Sequence, residues 1–390
     1  MDERIEHLRA AVAAETEAAV ALRRALHRRP ELGHQEFETT KKVAEHLAAA
    51  GLHPEIRSTG VGLVVDVGAG EPIVAFRADL DALPVSERSS LSFASEIPGV
   101  MHACGHDAHT AIASGLARAM AGMDLPGRVR FLFQPAEESV PGGAVEMVRE
   151  GRVSDVAAIL AFHVDPSIPA GSLGFRSGPI TGAADRIRVT VTGPGGHTSR
   201  PHQTSDVVHA AATIVTQLPQ LVQRQTDPRD PVAIVFGMIE GGTAENVIPT
   251  EVTAAGTIRV FDPDLWRGMP PLVERLIAEI LAPLGAEADV VYERGAPPVV
   301  NDPSVIDVVE RAARIVVGPD GILPTFQSLG AEDFAWFLEE IPGALIRLGA
   351  RPHGREVDLH AADFQLDEAA IPTGMMVAGS ALLALLDAAR

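Results

Sequence analysis

Hydrophobic and polar positions change period several times along the chain, and the changes divide it. Up to about residue 51 apolar residues recur at helical spacing with a break at Pro30–Gly33. That pattern predicts two helices, the second over Glu38–Ala50. Short apolar runs rich in Val, Ile and Phe follow: Leu63–Val67, Ile73–Phe76, Val129–Phe133 and Ala158–Phe162. Runs apolar on both faces predict strands covered on both sides. Helices are expected between them, over His109–Ala121 and Gly143–Glu150. Strands and helices alternating in this way predict an α/β domain with a mainly parallel sheet.

The pattern changes near Ala184. Arg186–Thr192 alternates polar and apolar with period two, as a half-exposed strand does. A helix is expected over Ser205–Arg224, strands over Val232–Ile239 and Glu251–Val260, a helix over Asp264–Leu281 and a strand over Ala288–Glu293. That order matches the split β-α-β arrangement of a ferredoxin-like unit. Gly295-Ala-Pro-Pro298 reads as an exit linker, after which Ser304–Val317 and Leu345–Gly349 resume the first pattern. The chain therefore parses as one α/β domain, 1–183 and 298–390, interrupted by a smaller α+β satellite over 184–297. Ala369–Leu386 is uncharged, but Pro372, Gly374 and its many alanines fit a helix packed on a sheet better than a membrane span.

Charge narrows the function. Acidic residues number 52 and basic ones 32, a net charge of −20, which repels phosphate backbones and anionic lipid. Neither nucleic acid nor a membrane is an expected partner. Met1-Asp2-Glu3-Arg4 is charged with no apolar run behind it, so no targeting signal is expected and the cytoplasm is the default location. One cysteine, Cys104, excludes an internal disulfide.

Three expected strands run into polar groups at their carboxyl ends, where open parallel sheets bind ligands. Ile73–Phe76 leads to Asp79 and Asp81, Val129–Phe133 to Glu137 and Glu138, and Ala158–Phe162 to His163. Between the first two lies Met101-His-Ala-Cys-Gly-His-Asp107. Cys, His and carboxylate are ligand types of zinc and neighbouring transition metals. Adjacent glutamates point in different directions, so one can bind metal while the other faces substrate and moves a proton. Asp79, Asp81 and Asp107 could each orient a ligand histidine. His197 or His202, after a glycine-rich turn, could polarise a substrate carbonyl, although a loop histidine without function is the plainer reading of each. Glu332 and Asp333 read as a solvated acidic pair. Gly-x-Ser-x-Gly and Walker motifs do not occur, which leaves serine hydrolysis and phosphoryl transfer without support.

Arg77-Ala-Asp-Leu-Asp-Ala-Leu-Pro84, Met101–Asp107, Phe133-Gln-Pro-Ala-Glu-Glu138 and Gly195-Gly-His197 together resemble a known family. So do Gly242-Thr-Ala-Glu-Asn-Val-Ile-Pro249, Gly330-Ala-Glu-Asp-Phe334 and Leu359-His360. The resemblance is to the metal-dependent amidohydrolase branch of the aminoacylase and carboxypeptidase family, which includes hippurate hydrolases and N-acyl-L-amino-acid amidohydrolases. It implies two divalent transition-metal ions (Zn, Mn, Co or Ni) held by Cys104, His106, Glu138, His163 and His360, with Cys104 bridging. It implies Glu137 as general base and acid, and Asp81 as the acid behind a ligand. His197, Asn246 and Arg259 match satellite positions that hold the substrate, often across a homodimer interface. The wider family has histidine where Asp79 stands, so Asp79 is not among the implied ligands, and His102 and His109 stay unassigned. His353 is the alternative to His360 if the C-terminal alignment slips. The implied reaction is amide hydrolysis of an N-acyl amino acid. A dipeptidase, an N-acetyl-diamino-acid deacetylase and a non-catalytic metal-binding scaffold are the rival readings.

Overall fold

The computed structural model describes residues 3–140 and 142–390; Met1 and Asp2 of the charged N-terminus lie outside them. In chain order, helices α1 (Glu3–Arg28) and α2 (Phe37–Ala48) precede strands β1 (Glu55–Ile56), β2 (Leu63–Gly68) and β3 (Ile73–Asp79). Helix α3 (His106–Met120), strand β4 (Arg128–Gln134), helix α4 (Gly143–Arg149) and strands β5 (Ala158–Pro169) and β6 (Leu173–Phe175) follow. Next come β7 (Asp185–Thr192), β8 (Gly196–His197), α5 (Val207–Gln225), β9 (Val232–Glu240) and β10 (Val247–Ile248). After them stand β11 (Glu251–Val260), α6 (Pro263–Leu281) and β12 (Glu287–Glu293). The chain closes with α7 (Pro303–Val317), β13 (Ile322–Pro324), β14 (Gly343–Arg351) and α8 (Ala370–Ala388).

Two compact units divide these elements. The first comprises the chain up to Gly178, Val300–Phe326 and Asp333–Arg390; the second comprises Pro179–Val299 and Gln327–Glu332. The junctions expected at 184 and 297 thus fall at 179 and 299. Ile180 donates its N–H to the Val299 carbonyl (2.9 Å), which ties entry and exit strands into the second unit. Residues 327–332 join it because Gly182 donates to Ser328 and Ser328 to Ile180, each at 2.9 Å.

The first unit is built on an eight-stranded sheet in the order β1-β2-β4-β3-β5-β14-β6-β13. Its centre is parallel: β4 with β3, β3 with β5 and β5 with β14. β3 is buried along its whole length: the apolar run Ile73–Phe76 requires it, and beyond that run Arg77 and Asp79 are buried as an ion pair. Phe76 on β3 meets the rings of Phe131 and Phe162 edge-on from both neighbouring strands. Truncating such a buried phenylalanine costs about 3–5 kcal/mol. Helices α3 and α8 lie against β3 and β5, and α1 packs on both of them. α8 has the length and hydropathy of a membrane span, but 78% of its apolar window is buried within the protein. Covering the sheet explains its composition.

The second unit is a four-stranded antiparallel sheet in the order β9-β11-β7-β12, covered by α5 and α6. Numbered by sequence within the unit, that order is 2-3-1-4, the ferredoxin-like topology. β7 alternates strictly at its start, burying Asp185, Ile187, Val189 and Val191 while Arg186 and Arg188 stand on the open face.

Candidate metal centre

The carboxyl ends of β3, β4 and β5 and the N-terminus of α3 converge. Gly105 makes the convergence possible. It adopts φ 84°, and a Cβ there would stand 2.4 Å from Cγ2 of Val164. Only glycine lets the loop turn left-handed against β5 and start α3 at His106. The helix therefore begins three residues earlier than its periodicity implied.

Cys104, His106 and His163 offer ligand atoms within 4.8 Å of one another, and so do Cys104, Glu138 and His360. Cys104 belongs to both groups. A third group joins His106 to Glu137 and Glu138. The Cys104 sulfur is 3.4 Å from Nε2 of His163. Nε2 of His360 is 3.2 Å from Oε1 of Glu138. All five residues expected as ligands thus meet in one place, and His360, not His353, is the C-terminal member. His360 reaches it with a positive φ of 63° while its N–H is held by the Ala103 carbonyl (2.8 Å).

Hydrogen bonds fix the histidine tautomers. Nδ1 of His106 faces the Asp81 carbonyl (2.9 Å) and carboxylate (3.2 Å), so it carries the proton. Its Nε2 is buried without a hydrogen-bond partner and faces the carboxylates of Glu137 and Glu138. Nδ1 of His163 donates to the Val164 carbonyl (2.8 Å), which turns its Nε2 the same way. An acceptor on the outer nitrogen orients a ligand imidazole and raises its basicity. Asp81 serves twice, because its Oδ2 also accepts the Glu138 N–H (2.9 Å).

Burial and charge set the protonation of the unliganded groups. Burial pushes the Cys104 thiol up to about 12. Burial opposes charge on His106, but the Asp79 carboxylate overrides it and holds His106 well above the usual imidazole range. Burial, with Arg347 adding to it, holds His163 well below that range. The donor set of one thiol, three imidazoles and carboxylates suits borderline transition ions rather than magnesium or calcium. The unpartnered Nε2 of His106 fits such an ion.

Asp79 and His109 sit beside the cluster with their donors engaged elsewhere. Asp79 takes hydrogen bonds from Arg77 (2.7 Å) and from Nδ1 of His109 (2.7 Å). Nε2 of His109 accepts the Val164 N–H (2.9 Å), so both of its nitrogens are used. Asp333 corrects an expectation. It is 3% exposed, not solvated, and accepts from Arg77 (2.9 Å), Gln134 (2.8 Å) and the Ala144 N–H (3.0 Å). Glu332 is equally buried. Arg77 and Gln134 have no role readable from the sequence alone; their places directly after the apolar runs of β3 and β4 were the available signal.

The three expected substrate residues lie in the second unit. His197 and Asn246 are exposed neighbours: β8 pairs with β10, and the Thr198 N–H donates to the Asn246 carbonyl (3.2 Å). Nδ1 of His197 accepts from the N–H (3.1 Å) of Ser199 and bonds its hydroxyl (2.9 Å). Arg259, on β11, donates to the Leu329 carbonyl.

A sheet with a parallel centre that gathers a thiol, three imidazoles and two carboxylates around one shared cysteine defines a metal-dependent hydrolase. The sequence profile of peptidase family M20/M25/M40 matches residues 75–384, and the chain belongs to that family. It is 41% identical over 287 residues to the N-acyl-L-amino acid amidohydrolase of Geobacillus stearothermophilus, covering 72% of this chain and 77% of that one. It is 44% identical to the putative glutamate–cysteine ligase 2-3 of Rhodococcus jostii over 91% of its own length, but spans only 45% of that longer protein. Among solved structures, the YXEP protein of Bacillus subtilis, described as a dinuclear metal-binding peptidase of the M20 family, superposes with a TM-score of 0.83. Its identity is 32%, over 96% of this chain and 99% of that one.

Proposed function

We propose that the protein hydrolyses the amide of an N-acyl amino acid, releasing a carboxylate and a free amino acid, with two divalent metal ions. The observation that carries this reading is Cys104's membership of both ligand groups, His106 with His163 on one side and Glu138 with His360 on the other. A single cysteine shared by two such sets would let them hold two ions side by side. Kinship with an N-acyl-L-amino acid amidohydrolase and likeness to a dinuclear metal-binding peptidase support it.

Bound there, two ions would supply positive charge to polarise the scissile carbonyl and acidify the attacking water. Every other task falls to the chain. Cys104, His106, Glu138, His163 and His360 would hold the ions, and Asp81 fixes both the His106 ring and the Glu138 backbone. Oε2 of Glu137 stands 4.0 Å from Nε2 of His106, beside the ligand atoms without displacing one. From there Glu137 takes the water's proton and returns it to the departing nitrogen. The satellite unit supplies substrate-holding groups: His197 and Asn246 for the carbonyl, and Arg259 for the carboxylate by paired hydrogen bonds. The same unit forms a homodimer interface, and a reducing cytoplasm keeps the Cys104 thiol available.

A manganese- and zinc-supplemented assay over N-acetyl amino acids, N-benzoyl amino acids and dipeptides tests the reading. Turnover of the acylated amino acids above the dipeptides is expected. Preference for dipeptides makes the enzyme a dipeptidase, and metal binding without turnover of any substrate makes it a scaffold.

A further inference from the structure

Among the described residues, three that are not glycine adopt a positive φ: His34 at 62°, Ala136 at 54° and His360 at 63°. Left-handed backbone at non-glycine residues is strained and persists only where surroundings impose it. His360 belongs to the metal cluster. Ala136 immediately precedes Glu137 and Glu138. His34 lies in the connection between α1 and α2, which has no role in the chemistry proposed above.

That connection is built into the site. Its Glu31 carbonyl accepts the Ala82 N–H (2.8 Å), next to Asp81. Gly33 lies so close to the other turn that a Cβ there would stand 2.6 Å from Oγ of Ser139 and 3.2 Å from Cα of Ala136. Glu36 closes the contact. It is fully buried, and its Oε1 accepts the Ala136 N–H at 2.7 Å. An N–H bonded to a buried carboxylate is a strong, directional constraint on the peptide that bears it. The constraint acts on the strained residue itself.

We infer that Glu36 is a positioning residue that locks Ala136 left-handed and so aims the Glu137 and Glu138 carboxylates along different directions from the end of β4. Burial, with the Asp81 charge adding to it, holds the Glu36 carboxyl up at about 7. Charged or neutral, it keeps an oxygen that can accept the Ala136 N–H. The inference rests on the roles proposed for Glu137 and Glu138.

Four variants test it: Glu36→Gln, Glu36→Met, Ala136→Gly and the double variant Glu36→Met with Ala136→Gly. Each is read by kcat and KM, by metal stoichiometry and by the visible spectrum of the cobalt-substituted protein. Glu36→Gln keeps an acceptor of the same length and is expected within about 3-fold of wild type in kcat. Glu36→Met keeps the length and loses the acceptor. A fall in kcat of at least ~10-fold at nearly constant KM, with a changed cobalt spectrum, is expected. Glycine reaches positive φ without strain, so the double variant is expected to recover at least ~3-fold over Glu36→Met and the wild-type spectrum. A residue that merely filled the core would not be rescued at Ala136. A double variant no better than Glu36→Met, or a Glu36→Met protein with wild-type kcat and spectrum, overturns the inference. If Glu36→Met does not fold, Ala136→Gly decides: the metal-free variant is expected to melt no lower than wild type, and a lower melting temperature overturns the inference. The cobalt spectrum reads the turn even if wild type turns over no N-acyl amino acid, so failure of the proposed reaction is distinguishable from failure of this inference.

Discussion

Glu137 and Glu138 are adjacent but have different surroundings. The Glu138 N–H is tied to Asp81, and its Oε1 faces His360; Oε2 of Glu137 lies 4.0 Å from Nε2 of His106, the same distance as Oε1 of Glu138. They should therefore fail differently. Glu137→Gln is expected to keep the wild-type metal content and lose at least ~10²-fold in turnover, the lower end for general acid–base catalysis. Glu138→Gln removes a first charged oxygen from the ligand groups, so metal affinity itself should fall and high metal should restore some activity. Elemental analysis beside turnover decides between them, and a reversed outcome exchanges the roles. Part of the site was legible locally, since Cys104 and His106 stand in one seven-residue block and Glu137 and Glu138 are adjacent, while His360 came only with the family resemblance. Asp333 was not legible, because Arg77 and Gln134, which bury it, lie 256 and 199 positions away. Glu36 was missed for the same reason, since its partner Ala136 is 100 positions on.

Helices α1 and α3 are joined by buried charge as well as by apolar packing. Arg23 and His27 on α1 both bond Oδ2 of Asp107 in the first turn of α3, at 2.9 and 2.8 Å, and His27 also meets Glu87 at 3.3 Å. Burial opposes charge on His27, but Asp107 and Glu87 outweigh it and Arg23's repulsion, raising the pKa from 6.5 to about 9. The folded value lies above the unfolded one. The stabilisation is therefore complete below about pH 6.5 and is lost as pH rises through 9. It amounts to at most about 3 kcal/mol, from 1.36 kcal/mol per unit. The melting temperature of the metal-free wild type is expected to drop between pH 6.5 and 9, and that of His27→Gln to change much less. Equal slopes for the two proteins would remove His27 from the account. Several elements were readable from their apolar runs, since β3, β4 and α6 begin or end within three residues of them, but the short strands β1, β6 and β13 were not, and β5 runs on to Pro169. The start of α3 was not readable either. Its first turn is polar, and the capping residue is a left-handed glycine in what reads as a loop.

The satellite sheet ends in two edge strands, β9 and β12, and carries exposed Val235, Ile239 and Val291. Such edges and apolar faces need covering in a soluble protein. A homodimer through this unit is the expected state, and light scattering should return twice 41.0 kDa; a monomer at working concentration contradicts it. Topology at this scale was legible because β7 to β12 follow one another without interruption. The excursion of residues 327–332 into the satellite was not, since only backbone hydrogen bonds to Gly182 and Ile180 reveal it. The insertion has a further consequence, for biosynthesis. β5 pairs in parallel with β14, from Gly343 opposite Ile159 to Gly349 opposite Asp165. A ribosome making roughly 5–20 residues per second completes the whole satellite between those two strands. For on the order of ten seconds or more, the nascent chain carries the edge of β5 bare, and His360 emerges later still. The five proposed ligands therefore cannot meet until His360 has been made, after both segments of the satellite, 179–299 and 327–332, have left the ribosome's active site.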